Sequence, residues 1–289
     1  MKKFIVVTES GSDIPPDLVE LYNIRVIPMH VIFSGKSCPD GSIPITDVYD
    51  YYKETKKIPS TSATNPDEYQ KLYEKIASEN PDCSIIHISY SSKASSTYQN
   101  ALIASAGMKN VYHIDSMNVS GGEAAIILKA VKLIEKQPDI STEELIEKIE
   151  LSVKLARASF IPNTLDYLKA GGRVSNASYL GASILHLKPL IEIINGQLVS
   201  TKKYRGGMGR IAEKYFNDFI DRCNIDREQV YLLFSLGLEE KIKHFMEKLV
   251  TDKGFRKITW IQTGCVISTH SGPGAIGIAG FENECICSE

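Results

Sequence analysis

Two short segments of this chain are rich in hydroxyl groups, and each stands just before a predicted helix. The first carries Ser60, Thr61, Ser62 and Thr64 ahead of a helix start at 65–68, where Asn, Pro, Asp and Glu follow one another. The free N–H groups and the dipole of a helix N-terminus favour an anion. These hydroxyls therefore fit an anion-binding loop, and they fit equally a loop whose side chains only cap the helix.

The second hydroxyl-rich segment, 89–98, follows a predicted strand at 83–88 and contains Ser95, Ser96 and Thr97. In open α/β sheets, ligands bind beyond the carboxyl ends of the strands. Two such segments at one sheet edge favour an anion site more than either does alone. Neutral hydroxyl and amide donors suit a carboxylate on an otherwise apolar ligand, because such a site need not bury a fixed cation.

Three basic side chains are further candidates. Arg173 follows the glycine pair of a short helical segment at 165–175, and an arginine in that position is usually a solvated partner of the helix end. Arg205, which precedes another glycine pair, is similarly ambiguous. His270 lies in a segment rich in Gly and Pro, 268–275, so we expect an exposed turn histidine that can hold or pass a proton near neutral pH.

Composition and motifs exclude several classes of function. Neither GxxxxGK[ST] nor GxGxxG follows a predicted strand, so the phosphate loop of nucleotide enzymes is missing. The 33 Lys and Arg against 35 Asp and Glu give a net charge of −2, which disfavours nucleic acid as a partner. No run approaches the roughly 20 apolar residues that span a bilayer. Six cysteines in 289 residues fit neither a disulfide scaffold nor a metal site, which indicates reduced thiols in a cytoplasmic protein.

In the first half of the chain, short β-rich runs alternate with helical patterns. This alternation predicts a parallel sheet covered by helices. Strands are predicted at 4–7, 24–33, 83–88 and 111–114, and helices from 65, at 97–106, at 122–135 and from 141. At about 150 residues per domain, a chain of 289 residues is expected to form two domains.

The pattern changes after residue 156. Asn195-Gly196 predicts a hairpin turn between two strands, and 266–270 with 275–281 predicts a last hairpin. Amphipathic helices at 210–223 and 239–250 alternate with strands at 229–234 and 257–261. We therefore predict the α/β class, with an N-terminal parallel-sheet α/β domain at 1–155 and a C-terminal α+β domain at 156–289 that carries helices on one side of its sheet.

Motifs along nearly the whole chain resemble those of the DegV family, whose members include the fatty-acid-binding subunits of bacterial fatty acid kinase. The resemblance lies at 6–10, 13–15, 26–28, 61–62, 95–99, 115–116, 120–122, 165–175, 188–189, 204–205, 270 and 272–275. Each motif alone is weak, and their common order and spacing are specific. Two departures from the family pattern are Glu9 in place of aspartate and Ser96 in place of glycine, the second of which narrows the backbone conformations of its turn.

The resemblance implies that two α/β domains enclose the acyl chain of a long-chain fatty acid, with no cofactor. It implies that Thr61 and Ser95 hydrogen-bond the carboxylate. Ser62, Ser96 and Thr97 belong to the same two loops and are candidate ligand-binding residues with them. Chain length, unsaturation and branching of the ligand depend on cavity shape and are left open.

The resemblance also implies a partner, a separate ATP-dependent kinase subunit that converts the carboxylate to an acyl phosphate. Arg173, Arg205 and His270 would lie around the head group and serve phosphoryl transfer or kinase docking. This chain would then be a carrier and not itself a kinase, which agrees with the missing nucleotide loop. Transient contact with a membrane is compatible with such a role.

Two other classes of function stay open at this point. One is a hydrolase in which a serine of the Ser95 cluster is activated by His270 and oriented by Asp115, although no GxSxG elbow surrounds any serine. The other is an interaction module whose hydroxyl loops are only helix caps. The hydrolase predicts turnover of an ester by the chain alone, and the interaction module predicts no bound lipid.

Overall fold

The first half of the chain forms one parallel sheet and a smaller antiparallel one. The structure, a computed structural model, describes residues 3–175 and 187–283. The strands of this half are β1 (Phe4–Glu9), β2 (Arg25–Ile27), β3 (His30–Phe33), β4 (Lys36–Pro39), β5 (Ser60–Ser62), β6 (Ser84–Ser89) and β7 (Val111–Asp115). Its helices are α1 (Pro16–Tyr22), α2 (Ile45–Thr55), α3 (Pro66–Glu79), α4 (Thr97–Ala104), α5 (Gly121–Lys136) and α6 (Thr142–Leu155).

The predicted parallel sheet is confirmed. Its strands lie in the order β2-β1-β6-β7, and all of them run in parallel. The start of α3 also follows the sequence, because Asn65 and Glu68 form a reciprocal capping box with Pro66 in the first turn. The carboxyl ends of β1, β6 and β7 therefore share one edge, where the hydroxyl-rich segment after β6 begins.

The single strand predicted at 24–33 is wrong, because this segment forms two strands in different sheets. β2 pairs with β1, whereas β3 lies in a three-stranded antiparallel sheet of order β4-β3-β5. The break falls at Pro28, which has no N–H for a ladder, and at Met29, whose N–H donates to Ser10 Oγ at 3.0 Å. This three-stranded sheet positions Thr61, because Thr61 lies in β5.

The second half is built on a six-stranded sheet. Its elements are β8 (Ala156–Ile161), α7 (Asp166–Gly171), β9 (Leu187–Ile194), β10 (Gln197–Arg205), α8 (Met208–Cys223), β11 (Val230–Phe234), α9 (Glu240–Asp252), β12 (Ile258–Gln262), α10 (Cys265–Ser271) and β13 (Ile276–Phe281). The strand order is β10-β9-β8-β13-β11-β12, with β11 and β12 parallel. The predicted Asn-Gly hairpin is confirmed between β9 and β10, where Asn195 and Gly196 have φ values of 50° and 79°.

The last predicted hairpin is wrong in its first strand. Only β13 forms a strand there, and residues 265–271 form α10. The start of α10 is fixed by distant side chains: carboxylate oxygens of Asp13 and Asp40 accept the N–H groups of Gly264 and Cys265 at 2.7 and 2.9 Å. These two donors would otherwise have no partner within the helix. No local sequence signal reveals such a cap.

α5 lies between the parallel sheet and the six-stranded sheet and is buried along most of its length. Two glycines at its N-terminus permit this close packing. A Cβ at Gly121 would lie 2.5 Å from Leu233, and one at Gly122 would lie 2.7 Å from the Cβ of Ala158. α8 and α9 pack on the other face of the six-stranded sheet. Helices therefore cover both faces of the six-stranded sheet, whereas the prediction placed helices on one side only. The additional face is covered by α5, a helix of the first half of the chain. The domain division after residue 155 stays a prediction.

Candidate functional site

An apolar cavity lies between the six-stranded sheet, the N-terminus of α5 and α10. It is a narrow slot of about 60 Å³. Its apolar walls include Ala158, Phe160, Ile193, Leu198, Leu233 and Ile267. Polar groups are fewer, and they include the side chains of Arg173 and His270. An apolar slot with a few convergent polar groups is the usual form of a site for a small, mostly apolar ligand.

Thr61 and His270 are in contact beside this cavity, which His270 lines and Thr61 does not. Thr61 Oγ1 lies 2.8 Å from His270 Nε2, although the two residues are 209 positions apart in the chain. β5 supplies the threonine, and α10 supplies the histidine. The structure thus joins one of the two predicted hydroxyl segments to one of the three predicted basic residues.

The expectation of an exposed turn histidine is wrong. His270 stands in the last turn of α10 and is partly buried, because α7 packs against this helix. The two helices approach so closely at Gly171 that a Cβ there would lie 2.3 Å from His270 Nδ1. Nδ1 is buried and has no hydrogen-bond partner among the residues described.

The imidazole of His270 is held in its neutral form. Burial, reinforced by the positive charge of Arg173, lowers the pKa of His270 from 6.5 to about 4. An unpartnered buried N–H is rarer and costlier than an unpartnered lone pair, so we assign the proton to Nε2. Nε2 then donates to Thr61 Oγ1, and the hydroxyl hydrogen of Thr61 is left to donate to an anion.

Arg173 places a fixed positive charge beside this pair. It follows the C-terminal glycine of α7, and its Nη1 donates to the carbonyl of Gly171 at 2.7 Å. This contact uses one of the five N–H donors of the guanidinium. The side chain also lines the cavity, and within 3–175 and 187–283 its guanidinium makes no other hydrogen bond, so further donors can face an anionic head group.

α4, which continues from the second hydroxyl segment, contacts the first segment, since Asn100 Nδ2 donates to the carbonyl of Thr64 at 2.8 Å. Ser95 Oγ lies 2.5 Å from Thr97 Oγ1 and also accepts the N–H of Thr97. Ser96 is exposed at the start of α4 with φ −78°, a conformation that does not require glycine. Neither Ser95, Ser96 nor Thr97 is among the residues that line the cavity.

Ser62 and Arg205 also lie outside the cavity lining. Ser62 stands next to Thr61 in β5, where it pairs with His30 of β3, and successive side chains of a strand point to opposite faces. Arg205 is exposed at the last position of β10, opposite Leu187. The structure does not bring Arg205 to the cavity with Arg173 and His270.

Sequence reasoning missed several hydroxyls of the cavity. Ser235 and Thr263 line it, and each directly follows one of the parallel strands β11 and β12. Ser120 lines it from the residue before α5. The rule that ligands bind beyond the carboxyl ends of parallel strands identifies the first two when it is extended to the second half of the chain.

Glu9, one of the two residues expected to depart from the family pattern, supports the cavity wall from behind. Its side chain is fully buried and accepts hydrogen bonds from Tyr69, Ser89 and the N–H of Tyr90, and it pairs with His87 at 2.7 Å. Burial works to raise the pKa of Glu9, but the charge and hydrogen bond of His87, with those other donors, lower it. The carboxylate thereby fixes Tyr90, which lines the cavity.

The arrangement expected of a hydrolase is not formed. Ser95 Oγ bonds to Thr97, and His270 Nε2 bonds to Thr61. Asp115 accepts the backbone N–H groups of Met117 at 2.9 Å and of Ser92 at 3.3 Å. Within 3–175 and 187–283, no group of three or more His, Cys, Asp or Glu side chains is placed to hold a metal ion. None of the helices in those ranges has the length and apolar character needed to cross a bilayer.

The lowered pKa of His270 predicts a loss of stability at acidic pH. The unfolded chain binds a proton at this histidine below about pH 6.5, whereas the folded chain binds it only near pH 4. When the pH falls from 7 to 5, we expect the protonation of His270 in the unfolded chain to lower the free energy of unfolding by about 2 kcal/mol. Denaturant unfolding at both pH values measures this loss. The free energy of unfolding of His270→Gln should fall by about 2 kcal/mol less than that of the parent chain.

A control for this experiment is His113, whose pKa burial lowers to about 4, so His113→Gln should relieve a similar loss at a separate place. Equal acid sensitivity in the parent chain and in His270→Gln would contradict the neutral, buried imidazole.

Comparison with known proteins identifies the family. The family model described as "Uncharacterised protein, DegV family" matches residues 3–283. The chain belongs to the DegV family. A DegV domain-containing protein of Caldanaerobacter subterraneus subsp. tengcongensis is 31% identical over 282 residues, which cover 96% of this chain and 98% of the relative.

Two further proteins that are similar to this chain are described as binding fatty acids. A Thermotoga maritima protein described as a fatty acid-binding protein is 29% identical and covers 95% of this chain and 96% of its own length. The solved structure of a DegV family protein from Thermus thermophilus, described by its fatty acid binding, superposes with a TM-score of 0.87. It is 26% identical and covers 97% of this chain and 100% of its own. The comparison confirms the predicted family and fold class.

Proposed function

We propose that this chain binds a long-chain fatty acid, with the carboxylate against Thr61 and the acyl chain in the apolar cavity. The observation that carries the proposal is the contact of Thr61 with His270, a residue that lines the cavity. A neutral imidazole that donates to the threonine leaves the threonine hydroxyl as a donor. The fatty-acid binding described for similar DegV proteins supports the same ligand class.

The energetics favour an acyl ligand over a small polar anion. Each buried methylene contributes about 0.8 kcal/mol, so a dozen or more carbons outweigh the cost of association. The walls must move apart to admit the chain, because the slot measures only about 60 Å³. A hydrogen bond to the charged carboxylate adds roughly 1.5 to 3 kcal/mol and fixes the orientation of the ligand. Ser95 would add a donor from the neighbouring loop.

The carboxylate would then be presented to a separate ATP-dependent kinase in the cytoplasm. A carboxylate oxygen attacks the γ-phosphorus of ATP, the bond to the β-phosphate oxygen breaks, and ADP leaves as the acyl phosphate forms. Arg173 and His270 stand where the added negative charge would develop, and a guanidinium suits phosphate oxygens. Arg205, exposed at the end of β10, is better placed to contact the kinase than the head group.

Extraction of the purified protein with organic solvent, followed by mass spectrometry, tests the binding proposal. We expect about one long-chain fatty acid per chain, released only after denaturation. A chain that yields no fatty acid, and that takes up none when long-chain fatty acids are added, would be an interaction module without lipid and would contradict the proposal.

A further inference from the structure

The six-stranded sheet has a gap beside the cavity. β8 and β9 pair only at Ser159 with Glu192 and at Phe160 with Ile191. Both strands continue beyond the last pair, β8 toward Ala156 and β9 toward Ile194, without bonding to each other. Each remains bonded on its outer side, to β13 and to β10. The sheet is therefore continuous on both sides of an opening between these two strands.

A second, larger cleft of about 600 Å³ occupies this opening. Its lining comes from both faces of the sheet. Val153 of α6 and Asn118 of the loop before α5 lie on one face, and Phe219 of α8 lies on the other. The gap between β8 and β9 thus connects the interior side of the sheet with the side covered by α8.

The cavity and the cleft have two lining residues in common among the residues described, Ala158 and Ile193. These two belong to the unpaired ends of β8 and β9. Ala158 adds little volume to the partition between the cavity and the cleft, because its side chain is a single Cβ that lies against Gly122 of α5. The branched side chain of Ile193 is therefore the larger part of the partition.

We propose that Ile193, packed beside Ala158, is the wall that ends the acyl cavity and sets the longest acyl chain that the protein binds well. This inference builds on the proposed fatty-acid function and adds the residue that determines chain length. Truncation of Ile193 joins the cavity to the cleft. The terminal methylenes of a longer chain then pass between β8 and β9 and lie against Val153 and Phe219 instead of in water.

The test is the affinity of Ile193→Ala for a homologous series of saturated fatty acids, measured by displacement of a fluorescent fatty acid. The variant should bind chains two methylenes longer than the parent optimum about tenfold more tightly than the parent does. Ile193→Val, which removes less volume, should shift the preference in the same direction by less. This second variant keeps the test decisive if Ile193→Ala folds poorly.

Ile194→Ala is the matched control. Ile194 is the next residue of β9, is 43% exposed and lines the cleft but not the cavity, so its loss should leave the chain-length preference unchanged. Folded Ile193 variants with the parent's preference would overturn the inference, as would an equal shift in Ile194→Ala. If the parent chain binds no member of the series, the fatty-acid function itself fails, and that outcome is distinct from either result.

Discussion

Thr61→Ala is expected to weaken fatty-acid binding by about tenfold to a hundredfold. The substitution removes the hydroxyl that donates to the carboxylate, and a hydrogen bond to a charged acceptor contributes roughly 1.5 to 3 kcal/mol. It also leaves the Nε2–H of His270 without its present acceptor at 2.8 Å. Titration with a fluorescent fatty acid measures the affinity, and solvent extraction measures how much lipid the purified variant retains.

Two substitutions serve as controls for the Thr61 experiment. Thr61→Ser keeps the hydroxyl and should keep most of the affinity. Ser60→Ala removes an exposed hydroxyl from the neighbouring position of the same strand and should bind as the parent does. Ser95→Ala should also weaken binding, since it removes the donor that we assign to the second loop. Parent-like binding by Thr61→Ala would contradict the assigned position of the carboxylate.

Arg173→Ala and His270→Ala are expected to retain the lipid and to lose acyl-phosphate formation with the kinase by about a hundredfold or more. The acyl chain supplies most of the binding energy, so loss of one head-group contact leaves the complex populated. Phosphoryl transfer depends on groups that stabilise charge developing in the transition state, and removal of one such group commonly costs two or three orders of magnitude.

Separate assays of each variant distinguish binding from transfer. Bound lipid is measured by extraction, and acyl phosphate is trapped as a hydroxamate after incubation with the kinase and ATP. Lys169→Ala, an exposed cation on α7 near Arg173 in sequence, is the control and should behave as the parent does in both assays. Loss of lipid in the Arg173 and His270 variants, with normal transfer per bound lipid, would reverse the division of roles.

Elements whose limits are set by neighbouring residues could be predicted from the sequence. The capping box of Asn65 and Glu68 starts α3 where the cap signal stands. Ser141 caps α6 with one side-chain bond, because its hydroxyl accepts a hydrogen bond from the N–H of Glu144. The Asn195-Gly196 turn forms because both residues tolerate positive φ. In each case the stabilising group lies within four residues of the position that it fixes.

Elements fixed by distant groups could not be predicted. α10 begins where the carboxylates of Asp13 and Asp40 meet its first N–H groups, and those residues lie more than 200 positions away. The division of 24–33 into two strands depends partly on a bond from Met29 to Ser10, which no periodicity reveals. The Gly and Pro residues near His270 stand just after the helix that carries the histidine. The sequence pattern therefore placed the turn at His270 itself and missed the helix.

The chemistry of the candidate site could be predicted from the sequence, and its geometry could not. Hydroxyls before a helix start indicated the segment that contains Thr61, the family resemblance pointed to Thr61 within it, and a titratable side chain among glycines indicated His270. Their contact across 209 residues is a product of tertiary packing. The same applies to Arg205, which a glycine pair and family resemblance placed near the head group and which lies exposed at a strand end.

A crystal structure of the protein loaded with a long-chain fatty acid that carries bromine on its terminal carbon tests the central claim most directly. Anomalous scattering from the bromine locates the end of the acyl chain directly. We predict a carboxylate within hydrogen-bond distance of Thr61 Oγ1 and a bromine peak beside Ala158 and Ile193. A carboxylate away from Thr61, or a bromine peak outside the space between α5 and the six-stranded sheet, would contradict the account.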